Sequence, residues 1–164
     1  MATHLKSLSD FTHLKAYSAE EFTFGIVVAQ WNAIITGSLY DGAYQLLIDK
    51  GAKPENIKTI QVPGSFELTS GADMLLQDKS VDAVICLGCV IQGETRHFDF
   101  ICDAVANGVT NVSIKHSKPV IFGVLTTDNQ QQAEDRAGGK HGNKGEEAAI
   151  TAIQMAKISS DLIK

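Results

Sequence analysis

The segment Gly93–His97 combines the residue types in this chain that are best suited to chemistry. It follows an apolar run, Ala83 to Ile91, which predicts a buried strand, and a helix pattern begins near His97. Backbone N–H groups at a helix N-terminus favour an anion, and the helix dipole disfavours a charged imidazole there. The segment therefore predicts an anion site beside a neutral histidine that can accept a proton from an amine or a carbon acid. A capping or surface histidine is the alternative.

Two other predicted strand ends carry candidate binding residues. Trp31, the only tryptophan, and Asn32 follow the first apolar run. The indole suits either an aromatic face against a planar heterocycle or a partly buried anchor for the next helix. Ser65–Glu67 follows the second run, where it forms either an ordinary helix start or a set of N–H groups and a carboxylate that hold a polyol or a uracil-like edge.

The fourth strand end is followed by Arg136 and by a glycine-rich loop that contains Lys144. An arginine suits bidentate phosphate binding, whereas a solvated basic loop is the more frequent meaning of such a run. The glycine pattern matches neither a P-loop nor a dinucleotide fingerprint.

The cysteines are interpreted as packing residues. Cys86 and Cys89 form a CxxC, for which redox chemistry or zinc binding is the alternative, but residues three apart on a strand point to opposite faces, which favours packing. We find no metal-ligand cluster. A capping or surface role is the default for the other histidines, His4, His13, His116 and His141.

Strands and helices alternate about every 30 residues, a pattern typical of parallel βαβ units. The predicted fold is α/β, a three-layer αβα sandwich with a four-stranded parallel sheet. The predicted strands are Phe24–Ala29, Thr59–Val62, Ala83–Ile91 and Val120–Leu125. The first three predicted helices are Ile34–Lys50, Phe66–Gln77 and His97–Lys115. A short fourth helix is capped by Asp128 and Gln131 and runs through Arg136. A loop from Gly138 to Gly145 then leads to a last helix, from Glu146 to about Ser160.

Length and charge restrict the function classes. The 164 residues suggest a single domain over 23–164, preceded by an N-terminal arm over 1–22 that lacks strong periodicity. With 14 basic and 19 acidic residues and a net charge of −5, nucleic-acid binding is not expected. No apolar run approaches the roughly 18 residues of a membrane span. The first residues have no signal-peptide core, so we expect a cytoplasmic protein.

Taken together, these motifs resemble those of the lumazine synthase (6,7-dimethyl-8-ribityllumazine synthase) family, over about residues 23–160. The resemblance is carried by Gln30-Trp31-Asn32, Val62-Pro63-Gly64-Ser65-Phe66-Glu67, Leu87 to Asp99, Pro119 to Thr127, Arg136-Ala137-Gly138 and Gly142-Asn143-Lys144-Gly145. It implies a flavodoxin-like fold. It also implies a transferase that condenses 5-amino-6-(D-ribitylamino)uracil with 3,4-dihydroxy-2-butanone 4-phosphate, releasing phosphate and water, without a metal or cofactor. This is the penultimate step of riboflavin biosynthesis.

The resemblance also implies roles for individual residues. His97 would transfer protons, and Glu94, Thr95 and Arg136 would bind phosphate. The pyrimidine and its ribityl chain would be bound by Trp31, Asn32, Ser65, Phe66, Glu67, Cys89, Val90, Ile91, Phe122 and Lys144. Phe122, Arg136 and Lys144 would come from an adjacent subunit.

The family implies self-association as a homopentamer, in some members as a sixty-subunit shell, and riboflavin synthase as a candidate partner. Two alternatives to catalysis are a flavin- or lumazine-binding module without turnover and a scaffold whose main role is to form a shell. Fluorescence of the lumazine product in a mixture of the two substrates distinguishes them.

Overall fold

Long apolar runs build a parallel sheet at the centre of the computed structural model, which describes residues 7, 9–11 and 17–162. The strands are β1 (Phe24–Ala29), β2 (Ile57–Val62), β3 (Ala83–Ile91) and β4 (Val120–Thr127). They lie in the order β2-β1-β3-β4, and all three pairings are parallel. Every residue of β1 is buried, as expected for a central strand covered on both faces.

Helices cover both faces of the sheet. They are α1 (Ala33–Asp49), α2 (Leu68–Leu75), α3 (His97–His116), α4 (Gln130–Glu134) and α5 (Lys144–Leu162), with short 3₁₀ turns at Pro54–Asn56 and Ser65–Glu67. One apolar core joins the sheet to α1 and α5, and a second joins the opposite face to α2 and α3. The predicted three-layer α/β sandwich is confirmed.

The two cysteines of β3 point to opposite faces, as predicted. Cys86 belongs to the core under α2 and α3, and Cys89 to the core under α1 and α5. Burial raises the pKa of Cys86 to about 12 and that of Cys89 to about 11. Both thiols therefore stay protonated near neutral pH, which suits packing and opposes nucleophilic or metal-binding roles.

The prediction of a loop over 138–145 is wrong. A short antiparallel hairpin, β5 (Ala137–Gly139) and β6 (Gly142–Asn143), occupies most of it, and α5 begins at Lys144 instead of Glu146. Gly138 and Gly142 have φ angles of 104° and 84°, which allow the reversal. The Asn143 carboxamide oxygen accepts from the Gly145 N–H at 2.8 Å, and so satisfies a backbone donor at the start of α5.

The predicted capping pair of α4 is displaced by one residue. The N-cap is Asn129, whose side chain accepts from the Gln132 N–H at 3.0 Å. The Gln132 carboxamide in turn accepts from the Asp128 N–H at 3.0 Å. Asp128 precedes the cap, and Gln132, rather than Gln131, completes the reciprocal arrangement.

The described part of the predicted arm packs on its own chain. The Ser9 hydroxyl accepts from the Asn143 N–H at 3.1 Å, Phe11 packs against the core under α1 and α5, and Phe22 is buried within it. The rest of the arm, residues 1–6, 8 and 12–16, lies outside the described residues.

The default of a capping or surface role is wrong for His116. Its side chain is only 8% exposed, and its Nε2 lies 2.7 Å from Asp73 Oδ1, which also accepts from the Lys115 ammonium at 2.7 Å. These hydrogen bonds, that of Lys115 first, lower the pKa of Asp73. The three side chains therefore tie α2 to the end of α3. His4 and His13 lie outside the described residues.

Candidate active site

A cleft of about 740 Å³ opens where β1, β2 and β3 end. Carboxyl ends of parallel strands are where α/β sheets bind ligands. The residues that line the cleft are Trp31, Asn32, Pro63, Gly64, Ser65, Phe66, Glu67, Cys89, Val90, Ile91, Gly93, Thr95, His97, Phe98 and Ile101. Ten of the fourteen predicted site residues are among them; the exceptions are Glu94, Phe122, Arg136 and Lys144.

Trp31 lies at the mouth of this cleft. This residue is 73% exposed in the single chain, so it is not a partly buried anchor for α1 within its own chain. Its backbone N–H donates to the Pro63 carbonyl at 3.1 Å, which ties the end of β1 to the end of β2. The backbone of Trp31 is therefore held in place, and its indole has an exposed face for a planar ligand.

Asn32 is the N-cap of α1 but does not cap it with its side chain. The carboxamide Nδ2 donates to the Cys89 carbonyl at 2.9 Å instead, across to the end of β3. The backbone of Asn32 is left-handed, with φ 60° and ψ 46°. Asparagine tolerates this conformation better than most residues.

The turn Ser65–Glu67 forms a second wall. Glu67 Oε2 accepts from the Gly64 N–H at 3.0 Å, so one carboxylate oxygen stabilises the turn and the other is not used in that bond. The Phe66 ring is 57% exposed. The Ser65 hydroxyl is buried and has no hydrogen-bond partner among the described residues. A buried polar group in this condition needs an explanation, and a ligand hydroxyl is one.

The loop before α3 forms the third wall. Thr95 Oγ1 accepts from the His97 N–H at 3.3 Å, and the Arg96 guanidinium lies 3.5 Å from Asp99 and over the Phe100 ring. No hydrogen bond joins the His97 ring to the described residues, and the side chain is exposed in the cleft. The imidazole is therefore open to a substrate beside the N-terminus of a 20-residue helix.

Three predicted residues do not reach this cleft within one chain. Phe122 lines a separate groove of about 320 Å³ between α3 and β4. Arg136 Nη1 donates to the Gln132 carbonyl at 2.9 Å, and the Lys144 ammonium pairs with Glu147 at 2.7 Å. Glu94 lies between two residues that line the cleft, although it does not line it itself.

Some lining residues were not predicted as site residues. Phe98 and Ile101 were interpreted only as the apolar face of a helix, yet both line the cleft with His97. Their place in the first turn and a half of α3 was the available signal, because that part of the helix borders any ligand at its N-terminus.

The described residues hold no group of three or more His, Cys, Asp or Glu side chains that could bind a metal ion. Within the same residues, no helix is long and apolar enough to cross a membrane.

Comparison with known proteins shows the family of this chain. The family model for 6,7-dimethyl-8-ribityllumazine synthase matches residues 21–160. The chain belongs to the lumazine synthase family. A relative of that name from Cytophaga hutchinsonii is 62% identical over 148 residues, which cover 87% of this chain and 93% of that protein. One from Parabacteroides distasonis is 52% identical over 98% of this chain and 100% of that protein, and one from Flavobacterium johnsoniae is 53% identical over 96% and 83%.

This membership confirms the resemblance that the sequence motifs indicated. The name that the relatives share confirms that the family is one of enzymes. The lumazine synthase fold suits the observed sheet and its helices. The segments that carried the resemblance provide most of the cleft lining.

Proposed function

We propose that this chain condenses 5-amino-6-(D-ribitylamino)uracil with 3,4-dihydroxy-2-butanone 4-phosphate to form 6,7-dimethyl-8-ribityllumazine, in the penultimate step of riboflavin biosynthesis. The observation that carries the proposal is the meeting of Trp31, the Ser65–Glu67 turn and His97 in one cleft of a lumazine synthase-family chain. The amine condenses with the ketone, phosphate leaves, and the ring closes with loss of water. Two substrates held together in one cleft gain much of their rate from proximity.

The cleft offers separate places for the two substrates. The pyrimidine stacks on Trp31 beside the strand end Cys89–Ile91, and its ribityl chain extends along Ser65, Phe66 and Glu67. The ribityl hydroxyls supply the partner that the buried Ser65 hydroxyl lacks. This arrangement matches a flat heterocycle with a polyol tail.

The phosphate is bound at the N-terminus of α3, where Glu94 and Thr95 precede the helix. His97 stands at the same end, next to the carbon atoms that the phosphate leaves. Its imidazole accepts a proton from the amine or from the carbon acid and returns it as water is lost.

A neighbouring subunit completes the site. Phe122, Arg136 and Lys144 lie outside the cleft of their own chain, which supports their delivery to another chain's cleft. Only one guanidinium N–H of Arg136 is used by the Gln132 carbonyl, so the others can bind phosphate. The family generally forms oligomers; we propose a homopentamer, with a sixty-subunit shell as its larger form and riboflavin synthase as a partner. The cytoplasmic location stays a prediction.

The deciding experiment mixes both substrates with the purified protein and follows lumazine fluorescence. Product should form, and His97→Ala should slow its formation by about 10²- to 10⁴-fold, the usual contribution of a general acid–base group. Asn107→Ala, on an exposed part of the same helix, is the control and should keep parental activity.

No turnover by the parent protein, with lumazine still bound, would favour a non-catalytic binding module. No turnover and no binding, with large particles, would favour a scaffold. An active parent whose His97→Ala variant stays within twofold would remove this histidine from the mechanism.

A further inference from the structure

Asn32 has a backbone conformation that a side chain rarely adopts without a reason. Among the described residues, only Asn32 and Ser117 combine a side chain with a positive φ. Left-handed backbone is uncommon outside glycine, and asparagine is one of the residues that tolerate it. At Asn32 this conformation reverses the chain between β1 and α1, where its carbonyl accepts from the Ile35 and Thr36 N–H groups at 2.9 and 3.0 Å.

The side chain of Asn32 does not do what an asparagine at an N-cap usually does. The usual role is to accept a hydrogen bond from the second or third N–H of the helix. No such bond is present, and Nδ2 donates to the Cys89 carbonyl at 2.9 Å in a partly buried contact. The side chain therefore serves the cleft rather than the helix.

The strand register explains why the Cys89 carbonyl needs this donor. The last residue pair of β1 with β3 is Val28 with Leu87, so Cys89 lies two residues beyond the end of that ladder. The Asn32 amide continues the ladder with a side chain. Because Trp31 N–H donates to Pro63 on the opposite side, residues 31 and 32 are held between the ends of β2 and β3.

We propose that Asn32 is a positioning residue that holds Trp31 at the cleft mouth by bonding the Cys89 carbonyl at the end of β3. Where the pyrimidine meets the end of β3, the Cys89 carbonyl then already accepts one hydrogen bond, from the Asn32 amide. The proposal rests on the proposed function only in taking Trp31 as the platform for the pyrimidine. The bond itself is a property of the protein without ligand.

Two substitutions remove the bond and keep the backbone conformation. Asn32→Gly deletes the donor and is fully compatible with positive φ. Asn32→Asp keeps the size and the tolerance for this conformation but places an acceptor opposite the Cys89 carbonyl. Asn32→Ala removes the donor and also introduces a residue that rarely adopts a positive φ angle, so it should unfold at a lower temperature than Asn32→Gly.

The first measurement needs no ligand. Trp31 is the only tryptophan, so acrylamide quenching of fluorescence excited where tyrosine does not absorb reports the surroundings of Trp31 alone. Both Asn32→Gly and Asn32→Asp should change the quenching constant. Asn107→Asp, at an exposed asparagine that bonds only within its own helix, is the matched control and should not.

The second measurement uses 6,7-dimethyl-8-ribityllumazine as the probe. Asn32→Gly should raise its Kd roughly 3- to 10-fold, the equivalent of one net hydrogen bond, and Asn32→Asp should raise it further. In turnover, KM for the pyrimidine substrate should rise by a similar factor while kcat changes less, because His97 is not touched.

The outcomes separate the possibilities. Parental quenching and parental Kd in Asn32→Gly would overturn the proposal and leave only the backbone conformation as the reason for asparagine. Weaker probe binding with parental quenching in the ligand-free variants would also overturn it, since Asn32 would then contact the ligand directly. If the parent protein fails to make lumazine but the quenching changes appear as expected, the proposed function fails and the positioning role stands.

Discussion

Gly88 is the position where a single added methyl group should affect both stability and substrate binding. It lies on β3 under the Ser65–Glu67 turn. A Cβ at this position would stand 2.7 Å from Ser65 Oγ and 2.8 Å from Leu68 Cδ1, both closer than real Cβ contacts allow. Leu68 is fully buried, so its side chain has little room to retreat. These two side chains, or the turn that carries them, must therefore shift when Gly88 is replaced by alanine.

The size of the effect follows from these two contacts. Overpacking of a well-filled core costs typically about 1–3 kcal/mol. In a domain of 150–250 residues each kcal/mol shifts Tm by roughly 2–4 °C, so Gly88→Ala should lower Tm by about 2–12 °C. Because Ser65 and its turn line the cleft, KM for the pyrimidine substrate should rise more than KM for the phosphorylated one.

Thermal unfolding at one fixed protein concentration is the suitable assay, because association with other subunits makes Tm depend on concentration. Gly37→Ala is the matched control: Gly37 lies inside α1, and nothing stands within 4 Å of its added Cβ. A glycine-to-alanine change at such a site stabilises by about 0.4–1 kcal/mol, so Tm should rise. Combining Gly88→Ala with Ser65→Ala removes the 2.7 Å contact and should restore part of the lost stability.

A Gly88→Ala variant whose Tm lies within a degree of the parent would refute the packing argument. A clear loss of stability with an unchanged KM for the pyrimidine would keep the packing argument but refute the link between the turn and the ligand. No recovery in the double variant would show that Leu68, rather than Ser65, sets the cost.

Three further predictions concern other parts of the molecule. Arg136→Ala should raise KM for the phosphorylated substrate by about 10- to 100-fold, as expected for a lost charge-assisted hydrogen bond, with partial recovery in Arg136→Lys; equal KM values in steady-state kinetics would contradict this. Because the pKa of Asp73 is lowered in the folded protein, its bonds stabilise the fold above the unfolded pKa near 3.8, and this stabilisation is lost as pH falls through the lower folded value. Urea unfolding should therefore show a smaller free energy of unfolding for Asp73→Asn than for the parent at pH 7. Below pH 4, the free energy of unfolding of the variant should depend less on pH than that of the parent. Light scattering should find particles of about 1 MDa for a shell or about 90 kDa for a pentamer of 17.6-kDa chains, and an active monomer would contradict the shared site.

The predicted strands were most accurate where burial on both faces leaves few alternatives. β1 and β3 have the predicted bounds, because an apolar run flanked by polar residues marks both ends of a fully covered strand. β2 begins two residues earlier than predicted, and its first residues are only half-buried. As an edge strand it has one free side, so its hydrophobic pattern marks its ends less sharply.

The wrong predictions occur where single side-chain hydrogen bonds decide the structure. Asp128 and Asn129 are both good N-cap residues, and only the hydrogen bond that the Gln132 N–H donates to Asn129 Oδ1 distinguishes them. In the same way, α5 begins at Lys144 because Asn143 accepts from the Gly145 N–H. Such bonds contribute about 1 kcal/mol each, which is below what a residue pattern can resolve.

Some residues of the candidate site have positions that the sheet determines, and others do not. The residues that line the cleft could be predicted because the carboxyl ends of neighbouring parallel strands must meet at one edge of the sheet. No comparable constraint relates Arg136 to that edge: it follows α4, and its guanidinium donates to the Gln132 carbonyl of that preceding helix. Its contribution depends on how one chain faces the next, which no periodicity within a single chain encodes. A guanidinium that is oriented by its own backbone but bonds no carboxylate among the described residues suits an anion supplied from outside the chain, as the shared-site proposal requires.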